Sequence, residues 1–199
     1  MDANTNPRRP RSAVFLDRDG VINVKLSDNR YVARVPEFEF LPGVVEALSI
    51  LRELGFILVV VTNQRGIAKG LMTAEDLDRV HKHMVAALSE KGVSLDAIYY
   101  CPHEEYENCA CRKPKPGMLF DAARDLGLDL AASYMVGDSP SDMAAGRNAG
   151  TRTVCVGDDS DDQADLVFAS LLDFALFTKK NTAKKLRHKP RSNPNGERI

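Results

Sequence analysis

Apolar residues recur along the chain in two alternating rhythms. Residues 13–17 (AVFLD) and 56–61 (FILVVV) are short apolar runs, the pattern of strands buried on both faces of a parallel sheet. Between them, Val44, Ala47, Leu48, Leu51 and Leu54 fall at helical spacing over residues 43–54, and Gly55 stops the helix. Thr73 caps a longer helix whose Leu77, Val80, Met84 and Leu88 face inward, with Gly92 at its end. His81 and His83, two apart on that helix, point in different directions and are expected on its surface. Strands at 95–100, 134–136 and 153–156 alternate with helices at 117–126 and 141–149, while residues 166–177 suit a last strand or a helix. Strand and helix in turn predict an α/β fold: a doubly wound, mainly parallel sheet of five to six strands, without internal repeats.

In such a sheet, ligands bind beyond the carboxyl ends of the strands. The residues just after the predicted strands are DRDG (17–20), TNQRG (62–66), CPH (101–103) and GDSPSD (137–142), all far more polar than the strands feeding them. Asp17 and Asp19 come from one strand end, Asp138 and Asp142 from another. Such carboxylates repel when brought together, and a hard divalent cation relieves the crowding; all-oxygen ligands suit Mg²⁺. Asp142, in the first turn of its helix, also suits a cap. Thr62 and Asn63 offer a hydroxyl and an amide, Lys113 a compact charge, and Arg112 a planar fork, all fitted to phosphate. The set can perform phosphoryl transfer: Asp17 as nucleophile, Asp19 as the acid and then the base, and Lys113 and Thr62 stabilising the transferred group.

Cysteine adds a second metal. Cys101, His103, Cys109 and Cys111 stand immediately before Arg112 and Lys113. Three thiolates and an imidazole make a closed tetrahedral set, the pattern of structural zinc, with no position left for substrate. Its expected purpose is to fix where Arg112 and Lys113 point. Cys155 lies in an apolar strand and belongs to the core.

Composition sets limits around this chemistry. At 199 residues, 44% hydrophobic and 28% charged, the chain suits one globular domain, with no stretch long and apolar enough to span a bilayer. The polar N-terminus lacks the apolar centre of a secretory signal, so a cytoplasmic location is expected. Net charge is −1, yet from residue 179 onward there are eight Lys/Arg against one Glu. The expected organisation is a flexible N-terminus (1–12), one domain (13–178) containing the zinc loop 101–111, and a disordered basic tail (179–199). A solubilising extension explains that tail better than a nucleic-acid arm.

The motifs carry a resemblance. VFLDRDGVIN resembles the first motif of the haloacid dehalogenase superfamily, VVVTNQRGIAKG the second, CRKPKPGM the third and MVGDSPSDMAAG the fourth, in order over residues 13–157. The resemblance implies a Rossmannoid core without a large cap domain and an aspartyl-phosphate intermediate. It also implies Mg²⁺ bound by Asp17, the Asp19 carbonyl and Asp138, with Thr62 and Lys113 holding the phosphoryl group. CPHEEYENCACRKPKPGM is similar to the zinc loop of the heptose bisphosphate phosphatases and the histidinol-phosphatase domains. From that likeness, Asn63, Gln64, Arg65, Arg112 and Tyr31 are expected to contact a small phosphosugar. The implied activity is removal of the 7-phosphate of D-glycero-D-manno-heptose 1,7-bisphosphate, with histidinol phosphate as the alternative substrate. The heptose enzymes have a lysine where this chain has Ser139. A reading from another class is a non-catalytic phosphate sensor with a nucleic-acid-binding tail, against which Asp19 counts, since a sensor needs no proton carrier. A monomer is expected, without membrane partners and without nucleic acid beyond contacts of the tail.

Overall fold

The computed structural model describes residues 11–27, 30–157 and 163–187, with side chains as far as residue 184. Six strands form one sheet: β1 (Ala13–Leu16), β2 (Ile57–Asn63), β3 (Ala97–Cys101), β4 (Tyr134–Gly137), β5 (Arg152–Val156) and β6 (Leu166–Phe168). Their order is β3-β2-β1-β4-β5-β6, and every pair is parallel. The chain therefore builds outward from β1 to β3, then crosses back and builds outward again from β4. That reversal leaves a crevice at the carboxyl ends of β1 and β4, where neighbouring connections diverge to opposite sides.

Alternation within β1 explains how both faces are covered. Val14 and Leu16 pack on one side with α1 (Val44–Glu53), α2 (Ala74–Glu90) and α5 (Leu171–Arg187). Ala13 and Phe15 pack on the other with Met118, Leu119 and Ala122 of α3 (Gly117–Leu126) and Ala145 and Ala149 of α4 (Pro140–Ala149). All four β1 side chains are completely buried, which is why the strand reads as an unbroken apolar run. Leu16 stands opposite both Val60 and Val136, so β1 stops first, with β2 running on to Asn63 and β4 to Gly137 beside it. Among the described residues no helix is long and apolar enough to cross a membrane.

Three boundaries depart from the sequence expectation. The third strand begins at Ala97 and runs through Cys101, because the Asp96 carboxylate turns back to accept from Leu58 N at 2.8 Å. Residues 166–177 hold both a strand and a helix, and that helix continues to Arg187, so order does not end at 178. Leu171, Phe174 and Ala175 bury against α1, the Thr178 hydroxyl donates to Phe174 O, and Lys179 reaches Glu53. Once packing has nucleated the helix, its polar continuation follows with little further cost. At the other end, Arg11 is tied down rather than flexible: its guanidinium donates to Leu126 O at 2.8 Å and its carbonyl accepts from Asp129 N. Residues 1–10 and 188–199, including His188, lie outside the described residues.

One side chain fastens the start of β1. The hydroxyl of Ser133 accepts from Ala13 N at 2.8 Å in a fully buried position and donates to Asp129 O. Ser133→Ala leaves a buried amide without a partner and should cost about 1–3 kcal/mol, read as a lower urea midpoint with unchanged slope.

Candidate active site

The crevice between β1 and β4 opens into a pocket of about 380 Å³, lined by Asp17, Asp19, Thr62, Asn63, Lys113 and Asp138, with Tyr31, Arg65 and Arg112 towards its mouth. Asp17 follows β1, its amide donating to Val136 O at 2.9 Å, so the sheet itself places the carboxylate. Lys113 arrives from the loop before α3. Its Nζ lies 2.9 Å from Asp17 Oδ1, 2.6 Å from Asp142 Oδ1 and 2.8 Å from Val61 O. Asn63 locks that loop by exchanging two hydrogen bonds with the Lys113 backbone, each of 3.1 Å. Burial alone would push the Lys113 ammonium down, but the charges of Asp142 and Asp17 hold it well above the ordinary lysine value. Burial pushes the Asp17 carboxyl up to about 6, against the pull of Lys113 and with the repulsion of Asp142 and Asp19.

Asp142 has two tasks. One oxygen accepts from Ser139 N and Oγ, closing a capping box at the start of α4, while the other holds Lys113. Asp17, Asp138 and Asp142 present carboxylate oxygens within 4.8 Å of one another. Asp138 Oδ1 is buried and meets no donor, and Asp138 Oδ2 receives Lys25 Nζ at 2.6 Å. An orphaned carboxylate oxygen aimed into a cluster of like charge is what a hard cation satisfies, so the residues present fit one. Burial raises the Asp138 carboxyl, helped by the charge of Asp17, against the opposing hydrogen bond and charge of Lys25. Gly20, with φ of 92°, passes so close that a Cβ there would meet Asp138 Oδ2 at 2.3 Å.

Asp19 is held differently. Arg18 lies between the two aspartates and turns inward, completely buried, with its NH2 group 2.9 and 2.8 Å from the two Asp19 oxygens. Asn23 Nδ2 donates to Asp19 Oδ1 at 2.9 Å and Gln64 Nε2 to Oδ2 at 3.0 Å. Burial would raise the Asp19 carboxyl, but the Arg18 charge and these hydrogen bonds carry it below the usual range.

Two residues therefore sit where the sequence reading did not put them. Gln64, expected at substrate, is fully buried beneath the pocket, where it bonds Asp19 and Thr62 Oγ1. His81, expected on the surface, is 8% exposed with Nε2 3.3 Å from Arg18 NH1. The signal for His81 was present: it lies four residues after Leu77 and three before Met84, on the buried stripe of α2. Burial and then Arg18 push it down to about 4. His83 is partly buried, its ring 5.8 Å from that of Phe38.

Beside the pocket, Cys101, Cys109 and Cys111 place their sulfurs 3.2–3.5 Å apart, with His103 Nδ1 3.5 and 3.3 Å from two of them. A tetrahedron with Zn–S arms of ~2.3 Å has edges of roughly 3.7 Å, so the cluster has the dimensions of a four-ligand zinc site. Arg112 is braced by this loop, donating to His103 O at 3.4 Å and to Glu105 at 3.3 Å. Arg65 donates to the Tyr31 hydroxyl at 2.8 Å and also approaches Glu105.

Comparison with known proteins decides the family. The D-glycero-beta-D-manno-heptose-1,7-bisphosphate 7-phosphatase of Photorhabdus laumondii is 44% identical over 175 residues, 81% of this chain and 92% of that protein. The chain belongs to this phosphatase family. The Escherichia coli K12 member is 44% identical over 182 residues, covering 84% of this chain and 94% of its own length. The crystal structure of the D,D-heptose 1,7-bisphosphate phosphatase from B. bronchiseptica, complexed with magnesium and phosphate, matches with a TM-score of 0.78 at 34% identity, covering 85% of this chain and 99% of that one. The HAD-hydrolase-like family model matches residues 110–174. Family membership makes the protein a phosphoric monoester hydrolase of the α/β class.

The contact at residue 20 gives a direct test of the carboxylate arrangement. Gly20→Ala drives a methyl group into Asp138 from a backbone conformation that disfavours any side chain. Turnover should fall by about a hundredfold or more while the far-UV circular dichroism spectrum is retained. Wild-type turnover in this variant would show that Asp138 is not held where catalysis needs it.

Proposed function

We propose that the protein removes the 7-phosphate of D-glycero-D-manno-heptose 1,7-bisphosphate, leaving heptose 1-phosphate. The observation that carries this reading is the placement of cations at two depths. Lys113 lies at the floor beside Asp17, and Arg65 and Arg112 flank the mouth, drawn together by Glu105. A substrate with two anionic groups fits that separation, one phosphate reacting at the floor and the other exchanging with Glu105 at the rim. The relatives' activity points the same way.

Asp17 attacks phosphorus, and the bond to the sugar oxygen breaks as the Asp17–phosphate bond forms. Lys113, bonded to Asp17 already, and the Thr62 hydroxyl take up charge on the equatorial oxygens. Asp19 gives a proton to the departing sugar oxygen. In the second half it takes a proton from water, which attacks the aspartyl-phosphate and restores Asp17. Arg18 keeps Asp19 ionised and ready for that second role, and the approach of a phosphate dianion raises it for the first. Asp17, Asp138 and the Asp19 main-chain carbonyl would hold Mg²⁺, which supplies the neutralisation that lets a carboxylate approach an anion. Asn63 and Tyr31 shape the walls around the substrate, and Gln64 acts from beneath by holding Asp19 and Thr62.

Cys101, His103, Cys109 and Cys111 would hold a structural Zn²⁺, which would stiffen the loop carrying Arg112 and Lys113. The enzyme works in the cytoplasm as a monomer, on a small phosphosugar.

A substrate panel tests the assignment. With purified protein and Mg²⁺, kcat/KM for the heptose 1,7-bisphosphate should exceed that for histidinol phosphate by about tenfold or more, with Asp17→Asn as the inactive reference. Equal values, or a preference for histidinol phosphate, would overturn the substrate. The zinc assignment has its own check: the native protein should contain one metal per chain by elemental analysis. Cys109→Ser should lose it, melt several degrees lower and show reduced turnover, of the order expected when a tetrahedral ligand is removed. A zinc-free native protein of full activity would exclude this role.

A further inference from the structure

Arg18 and His81 are ionisable and fully or nearly fully buried, and His81 is used by none of the steps above. Arginine is rarely buried completely, because every one of its donors then needs a partner inside the protein. Here each of its three nitrogens has at least one partner. One side of the guanidinium faces the carboxylate of Asp19, through NH2 at 2.9 and 2.8 Å and Nε at 3.3 Å. The opposite side, NH1, meets His81 Nε2 at 3.3 Å. Arginine has no acceptor, so Nε2 must accept and the proton of His81 must sit on Nδ1. A protonated imidazole would put two cations against each other in a buried site, which agrees with a His81 pushed down by burial and by Arg18. Behind the ring, Tyr100 packs edge-on at 6.1 Å between centroids. The imidazole is thus clamped between the guanidinium and an aromatic wall.

We infer that His81 and Arg18 are positioning residues for proton transfer: neutral His81 fixes the guanidinium, and the guanidinium fixes the rotamer of Asp19 facing the pocket. A carboxylate three residues beyond a strand end has freedom to rotate, and a proton carrier must lie within hydrogen-bond reach of the oxygen it serves. Asn23 and Gln64 each hold one oxygen, but only Arg18 grips both. The helix that carries His81 lies outside all four sequence motifs of the pocket, so this adds α2 to the machinery. The inference rests on the reading of Asp19 as the proton carrier.

Leaving-group chemistry separates positioning from stability. Expulsion of a sugar alkoxide needs the proton of Asp19, whereas 4-nitrophenolate leaves without one. The quantity to read is kcat/KM, which covers steps up to formation of the aspartyl-phosphate. The ratio of its values for the sugar phosphate and for 4-nitrophenyl phosphate, in one preparation, is independent of the fraction folded. Three variants are compared with wild type: His81→Leu, similar in volume but without an acceptor; His81→Gln, whose Oε1 reaches where Nε2 stood; and Asp19→Asn. His81→Leu should lose about tenfold on the sugar phosphate, a part of the 10²–10⁴ that proton transfer contributes, and less than about threefold on 4-nitrophenyl phosphate. KM should change little, and His81→Gln should recover most of the ratio. If Asp19→Asn shows the split but His81→Leu loses equally on both substrates, or no more than His81→Gln, the positioning role is wrong while the Asp19 assignment stands. If Asp19→Asn itself shows no split, the proton-carrier reading fails and this inference with it.

Discussion

One buried ammonium between a buried carboxylate and a second that faces the pocket holds the site together. Lys113 comes from the loop before α3, Asp17 from the end of β1 and Asp142 from the first turn of α4, so three separately folded pieces meet on a single charge. Each carboxylate alone would be costly in that interior, and the pair would repel; the lysine turns a conflict into a joint. Removing it would leave two uncompensated anions, whereas removing either carboxylate leaves the cation another partner. The reciprocal hydrogen bonds between Asn63 and the Lys113 backbone add β2 to the same joint. Geometry at the pocket floor is therefore inherited from the sheet rather than from flexible loops.

Much of this was legible in the chain because parallel strands buried on both faces cannot hide: FILVVV has no polar face to confuse with a helix. Polar residues directly after such runs have nowhere to go but the carboxyl ends of the strands, which is why Asp17, Thr62 and Asp138 could be grouped, whereas Lys113, in the loop before α3, joined them by its charge. The compact cysteine and histidine spacing was equally direct. Direction was harder. Arg18 sits in the middle of the most informative motif, yet nothing in DRDG tells that its side chain folds inward against Asp19 rather than into the pocket. Gln64 was misplaced for the same reason, since polarity shows that a residue needs partners and not where they are. The two-residue spacing of His81 and His83 suggests a surface position, but it is the stripe of Leu77, Val80 and Met84 that places His81 inside.

The end of the chain makes a complementary point. Residues beyond Thr178 have the composition of a solvated tail, and composition reads them as disordered. A helix already anchored by Leu171 and Phe174 carries its own continuation, a cooperative effect that no residue count in the polar segment reveals. The segment 101–111 is the reverse case: it has little apolar content, and its three sulfurs and one imidazole gather where a core would otherwise be.

The walls of the pocket come only from the segments that leave the strands, at residues such as Tyr31, Arg65 and Arg112, and no further domain is folded over them among the described residues. On the proposed mechanism, a phosphorylated Asp17 at the bottom of such a cup would stay within reach of bulk solvent. Enzymes that pass a phosphoryl group to a second sugar must keep the surroundings dry until the acceptor arrives. A pocket open in this way suits water as the acceptor.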